Sequence, residues 1–219
     1  MTRALAAEFL GTFLLLATVV GSGIMGEALA DGNAAIALLG NSVATGAALV
    51  VLILVFGPIS GARFNPAVTL VMAARRKFVP GTAVAYVAVQ VGGALVGVAV
   101  AHIMFELPVA QVGIKEWASV AQGFCEFVAT FGLLATILGC RAARAESMPF
   151  AVALYITAAY WFTASASFAN PAVALARSFT TTSAGIRPAD APMFIAAQVL
   201  GVLAAMVVFR WLLAGRDRT

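Results

Sequence analysis

The sequence predicts an all-α membrane protein, a bundle of six transmembrane helices plus two half-helices arranged as an inverted repeat. Three observations carry that prediction. The chain is 63% hydrophobic and only 10% charged, with a mean hydropathy of +1.02, whereas soluble domains run at about 25% charged. The tetrapeptide Asn-Pro-Ala-Val occurs twice, at 65–68 and 170–173. The order of landmark residues around each copy also recurs along the chain.

The full spans fall at about 4–27, 34–57, 80–105, 117–140, 149–167 and 190–214, at roughly 20 residues each. Gly57-Pro58 is read as the end of the second span, and Pro80, Pro149 and Pro192 as openings of the third, fifth and sixth. The first apolar run starts at Ala4 and carries no small-residue cleavage site followed by a polar segment, so it is read as a span and not as a signal peptide. Two shorter segments, about 65–76 and 170–178, cannot cross a bilayer, since a 12-residue helix reaches only ~18 Å.

The repeat orders these elements. Ala7-Glu8-Phe9-Leu10-Gly11-Thr12-Phe13 is echoed by Cys125-Glu126-Phe127-Val128-Ala129-Thr130-Phe131, and Tyr86-Val87-Ala88-Val89-Gln90 by Phe194-Ile195-Ala196-Ala197-Gln198. Each unit holds three full spans, an odd number, so the second copy inserts upside down. The chain is read as one domain, 1–219, with repeats at 1–107 and 115–219. Inverted repeats place the functional site near the midplane, where half-helix N-termini meet.

Charge placement sets the orientation. Arg3, the cluster Arg75-Arg76-Lys77, the pair Arg141 and Arg144, and the group Arg210, Arg216 and Arg218 mark cytoplasmic segments, while Glu27, Asp31, Glu106, Glu116 and Asp190 mark outward ones. Both termini are therefore expected in the cytoplasm, with the chain a multi-pass protein of the cell (inner) membrane. The net charge of +4 reads as topology and excludes a nucleic-acid partner. Cys125 and Cys140 match no metal or redox spacing, and no nucleophile–base pair or ligand cluster occurs. The sequence thus predicts no enzyme, no catalytic residue, no metal and no cofactor.

Asn followed by Pro is a helix start. Asn caps well, and Pro suits the first helical position, where its missing N–H would be unpaired anyway. The side-chain oxygen of Asn65 accepts from its own first turn, near Val68, which leaves the amide N–H2 as a donor at the midplane; Asn170 does the same from the opposite leaflet. Both half-helices also point positive dipole ends at that spot.

With these features the chain resembles the aquaporin (major intrinsic protein) family. The carrying residues are Ala6-Ala7-Glu8-Phe9-Leu10-Gly11-Thr12-Phe13, Ile59-Ser60-Gly61-Ala62-Arg63-Phe64-Asn65-Pro66-Ala67-Val68-Thr69 and the second Asn-Pro-Ala. The resemblance implies an aquaporin-like bundle, a homotetramer in a lipid bilayer with one pore per protomer, and small neutral solutes as partners. It also implies that Glu8 and Glu126 are structural buried acids that accept from backbone N–H groups of the pore-lining loops.

The chain departs from the family at the letter after the second motif. Family members usually carry Arg there, and this chain has Val173. Arg177 follows four residues later on the same helix face, either lining the outer vestibule or snorkelling to headgroups. Counting from the motifs places the filter at Thr45, Ala158 (or Ala159), Ser167 and Val173, a set without an aromatic wall or a fixed cation. Such a filter is wide, and the pattern resembles bacterial aquaglyceroporin-like channels associated with arsenic resistance. That resemblance implies passage of water, glycerol and bulkier metalloid hydroxides such as arsenite or methylated arsenicals. The alternatives are an ordinary water- or glycerol-selective aquaporin and, from another class, a proton-coupled transporter. Arg63 stands where the family commonly has His, either as an inner-vestibule cation or as a positive-inside arginine. His102 is expected at the membrane interface, and Gly92, Gly93 and Gly97 at close helix contacts.

Overall fold

The computed structural model describes residues 1–75 and 80–214, and every regular element among them is helical. Helices α1 (Thr2–Leu29), α2 (Ala34–Ser60), α3 (Pro66–Ala74) and α4 (Pro80–Met104) form the first half. Helices α5 (Val120–Ala143), α6 (Met148–Phe162), α7 (Pro171–Ala176) and α8 (Ala191–Leu212) form the second. The basic residues Arg76, Lys77, Arg216 and Arg218 lie outside the described residues.

Among the described residues, five helices are long and apolar enough to cross a membrane: α1, α2, α4, α5 and α8. Helix α6 ends at Phe162, short of the 149–167 expected for the fifth span. It holds 15 residues, about 22 Å against a hydrocarbon core of about 30 Å, and the chain continues as irregular backbone over 163–169. The second helix is longer than expected. It runs through Pro58 to Ser60 and stops at Gly61, whose φ of 87° is left-handed and whose N–H returns to Gly57 O at 2.9 Å. Glycine is the residue that takes this C-terminal turn without steric cost. Helix starts follow capping chemistry: Asn33 accepts from Ala35 N and Ile36 N, and Ser119 forms a capping box with Gln122.

Packing follows the repeat. Helix α1 lies against α4 and α2, α5 lies against α8 and α6, and α2 meets α6 across the halves. The short helix α3 packs on α4 and α8, and α7 packs on the same two. Glycine makes the α1–α4 and α5–α8 crossings possible. A Cβ on Gly93 or Gly97 would collide with the carbonyl oxygen of Phe9 or Phe13, and one on Gly201 would sit 2.7 Å from Phe127 O. Close backbone approach is how apolar helices associate where no hydrophobic drive separates lipid from protein. Gly92, beside the Phe9 ring at 3.7 Å, is an ordinary contact. Several hydroxyls inside the helices are satisfied locally, as Thr12 Oγ1 on Glu8 O (2.7 Å) and Thr136 Oγ1 on Gly132 O (2.9 Å) illustrate.

Candidate functional site

Two irregular loops carry the site, 61–65 ahead of α3 and 163–170 ahead of α7. Their backbones match residue for residue. Gly61, Ala62 and Phe64 have φ of 87°, 45° and 49°, and Ala166, Ser167 and Ala169 have 54°, 49° and 47°. The left-handed region costs a non-glycine L-residue roughly 1–2 kcal/mol, so something must hold each loop.

Two buried carboxylates do so. Glu8 Oε1 accepts from Ser60 Oγ (2.6 Å) and Arg63 N (3.0 Å), while Oε2 accepts from Phe64 N and Gln90 Nε2 (both 2.8 Å). Glu126 Oε1 accepts from Ser165 Oγ (2.7 Å) and Phe168 N (2.8 Å), while Oε2 accepts from Ala169 N (2.8 Å) and Gln198 Nε2 (2.7 Å). Both acids are fully buried. Four charge-assisted bonds apiece offset the desolvation of the carboxylate and fix the loop geometry. The two serines completing these cradles, Ser60 and Ser165, had no role assigned from the sequence, although each lies five residues before its asparagine.

Each asparagine caps its short helix and also bonds across the halves. Asn65 Oδ1 accepts from Ala67 N at 2.8 Å, one residue earlier than Val68, and Asn170 Oδ1 accepts from Ala172 N and Val173 N at 3.0 and 3.4 Å. Asn65 Nδ2 donates to Ala169 O, and Asn170 Nδ2 donates to Phe64 O, both at 2.8 Å. One N–H of each amide is thereby spent on the opposite loop. The second remains for whatever occupies the adjoining space.

That space is a cavity of about 450 Å³ touched by Asn65 and Asn170. Its long walls are apolar, with Leu15, Val19, Leu49, Ile53, Leu133, Ile137, Val152 and Ile156 among them. One end is walled by Gly57, Pro58, Arg141 and Glu146, and the other by Thr45, Tyr160, Val173 and Arg177. Arg63 and Ser167 also line it. Arg63 donates to Ser60 O and lies over the Tyr86 ring, with its guanidinium carbon 5.2 Å from the centroid.

Ala158 does not reach the cavity. It is exposed on the outside of α6, and its alternative Ala159 is buried without lining the space. Tyr160 takes that place, its hydroxyl 3.3 Å from Thr45 Oγ1. Counting back from Asn170 failed because residues 163–169 are not helical and carry no fixed register. Arg177, in the 3₁₀ turn after α7, is 5% exposed and lines the cavity instead of reaching headgroups. Its Nε donates to Ala184 O, and its guanidinium carbon lies 3.5 Å from the centroid of Phe168. The lining beside Thr45 and Val173 therefore includes an aromatic, Tyr160, and a cation, Arg177, which the set counted from the motifs did not contain.

Segments outside the bundle are bonded to one another beside Arg177. His102 is fully buried and bonds Thr180 Oγ1 (2.8 Å) and Val109 O (3.2 Å), which makes it a pin between segments and not an interfacial residue. Trp117 donates its indole N–H to Gly185 O and its backbone N–H to Asp190 Oδ2. Asp190 also accepts from Arg187 at 2.9 Å. Burial alone would raise the Asp190 carboxyl, but these bonds outweigh it and hold the group below its ordinary value. Burial also lowers Lys115, whose ammonium lies 4.6 Å from the Trp117 ring centroid.

Comparisons with known proteins agree with this architecture. A family model described as major intrinsic protein matches residues 1–149. The aquaglyceroporin AqpS of Rhizobium meliloti (strain 1021) is 55% identical over 213 residues, covering 97% of this chain and 91% of that protein. Aquaporin Z of Photorhabdus laumondii is 35% identical over 128 residues, 58% of this chain and 53% of that one. Among solved structures, the aquaglyceroporin from Plasmodium falciparum matches with a TM-score of 0.69, covering 98% of this chain and 96% of its own at 19% identity, a likeness of fold. By the family match and the near-full-length relative, the chain belongs to the major intrinsic protein family.

Proposed function

We propose that this protein is a passive membrane channel for small uncharged hydroxylated solutes: water, glycerol, and metalloid hydroxides of similar size such as arsenite. The observation that carries the reading is the cavity itself, which joins apolar walls to a polar track of Asn65, Asn170, Ser167, Thr45, Tyr160 and Arg177. A polyol slides its CH face along Leu49, Ile156 and Tyr160 while its hydroxyls exchange water for the Asn N–H groups and the arginine. A cation finds donors and positive helix ends at the same place, the barrier attributed to aquaporin-type pores. An ion also has the far larger cost of leaving water, whereas a neutral hydroxide loses only hydrogen bonds that the track replaces.

On this reading Asn65 and Asn170 form the midplane, Thr45, Tyr160, Ser167, Val173 and Arg177 the filter, and Arg63 with Arg141 the inner vestibule. Residues 1–107 and 115–219 are the two repeats of one channel domain, with both termini cytoplasmic and four copies to an assembly. The solute class is supported by the 55% identity to a protein named as an aquaglyceroporin. With the Tyr160 ring and the Arg177 side chain in the lining, methylated arsenicals, the bulkiest of these solutes, fit it least well. A solute panel on proteoliposomes tests the proposal. Entry of glycerol and arsenite above protein-free vesicles, with methylated arsenicals slower and sodium excluded, supports it; rates equal to protein-free vesicles for every neutral solute would reject it.

A further inference from the structure

The arginine that lines the cavity beside Thr45 and Tyr160 is held by contacts that run out to the protein surface. Arg177 makes no protein hydrogen bond through its two Nη groups among the described residues, which leaves those N–H groups facing the cavity. Its orientation comes from elsewhere. The guanidinium carbon lies 3.5 Å from the Phe168 ring centroid, where the negative face of the ring attracts a desolvated cation. Phe168 is 4% exposed and packs edge-on against Trp117, at 5.9 Å between centroids, and against Phe194 at 5.1 Å.

Trp117 in turn links its own segment, 105–119, to the segment 180–190. Its backbone N–H donates to Asp190 Oδ2 at 2.9 Å and its indole N–H to Gly185 O at 3.0 Å. Ile186 N donates to Arg177 O (3.1 Å), Gly113 N to Ser178 O (2.8 Å) and Arg187 N to Lys115 O (2.8 Å). The outermost link is the Arg187 guanidinium, which bonds Asp190 Oδ1 at 2.9 Å and Glu116 Oε1 at 2.5 Å. Asp190 is 6% exposed, so the carboxylate is covered while its arginine partner reaches solvent.

We propose that Phe168, Trp117 and Asp190 are positioning residues for Arg177, and that the Arg187–Asp190 pair at the surface sets solute discrimination where Thr45, Tyr160 and Arg177 line the cavity. The inference rests on the channel reading above. Released from Phe168, the Arg177 side chain has the rotamer freedom of any long cation and no longer presents its N–H pair at one place. Glycerol, with three hydroxyls to satisfy during passage, loses more than water does. The ratio of glycerol to water permeability therefore falls.

A double-mutant cycle in proteoliposomes tests this, read as that ratio by stopped-flow light scattering. Asp190→Asn weakens both bonds at constant shape, and Arg177→Ala removes the cation being positioned. Each single variant lowers the ratio about threefold or more, the pair lowers it no further than Arg177→Ala alone, and Asp190→Glu restores part of it. Where the Asp190→Asn protein does not accumulate, Phe168→Leu replaces it in the same cycle. An Asp190→Asn effect equally large in the Arg177→Ala background, or a ratio unchanged by either positioning variant, would overturn the proposal. A native protein without glycerol flux would reject the channel reading itself, a result separate from any change in ratio.

Discussion

Replacing Glu126 by Gln tests how the left-handed loop ahead of α7 is held. The carboxylate receives four donors, and an amide offers one oxygen in place of two. Two of the donors can adapt. The Ser165 hydroxyl rotates, and Gln198 can flip, because its Oε1 has no partner and can receive the new N–H2. The backbone N–H groups of Phe168 and Ala169 cannot move, so in either orientation of the amide one of them is orphaned. An orphaned buried donor costs about 1–3 kcal/mol, and loss of charge assistance on the other bonds adds about 1 kcal/mol. The sum, about 2–4 kcal/mol, lowers the melting temperature by roughly 5–15 °C for a chain of this length. Glu126→Ala orphans all four donors, roughly 4–12 kcal/mol, which approaches the 5–15 kcal/mol that keeps a typical domain folded. Thermal unfolding in detergent followed by tryptophan fluorescence is the assay, since the buried Trp117 packs on Phe168. Glycerol flux is measured in parallel. A Glu126→Gln protein with native melting temperature and native flux would refute the claim that this acid holds the loop.

Three further outcomes follow from the geometry. Gly201→Ala places a Cβ 2.7 Å from Phe127 O and destabilises the α5–α8 crossing by about 1–3 kcal/mol. Gly40→Ala meets open space within α2 and stabilises by about 0.5–1 kcal/mol; melting temperatures of the two variants move in opposite directions. Val173→Arg puts a second cation on the Arg177 side of the cavity and reduces glycerol flux more than water flux, as paired osmotic measurements will show. Asp190 stays ionised below the ordinary carboxylate range, so its bonds to Arg187 and Trp117 are present above about pH 4 and are lost as pH falls through the lower folded value. The glycerol-to-water ratio is accordingly flat from neutral pH down to about 5 and declines only in stronger acid applied to the Asp190 face.

Much of the fold is legible in single residues. Asn65-Pro66 and Asn170-Pro171 are helix starts on local chemistry alone, and the structure begins α3 and α7 at those prolines. Glu8, Gln90 and Gly93 recur as Glu126, Gln198 and Gly201, because each half closes the same cradle and the same close crossing. Local rules failed where geometry depends on partners far along the chain. Pro58 reads as a stop, yet the helix runs through it for two more residues and ends at Gly61. Ala158 came from counting through a segment that is not helical, so a shift of two residues moved the prediction from the cavity wall to the outside of α6. Arg177 had two readings at the sequence level, and only Phe168 and Ala184, brought in by the loop fold, decide between them. His102 looked interfacial because nothing local announces Thr180 and Val109 as its partners.

The central claim is passive passage of a neutral solute along the Asn65–Asn170 track. Stopped-flow scattering of proteoliposomes in a glycerol gradient tests it most directly, with proton and sodium gradients present and then collapsed by ionophores. The account predicts glycerol entry well above protein-free vesicles, at the same rate under both conditions and reduced by Asn170→Asp, which removes the donor and brings a charge to the midplane. Glycerol entry that saturates and disappears when the proton or sodium gradient is collapsed would contradict it.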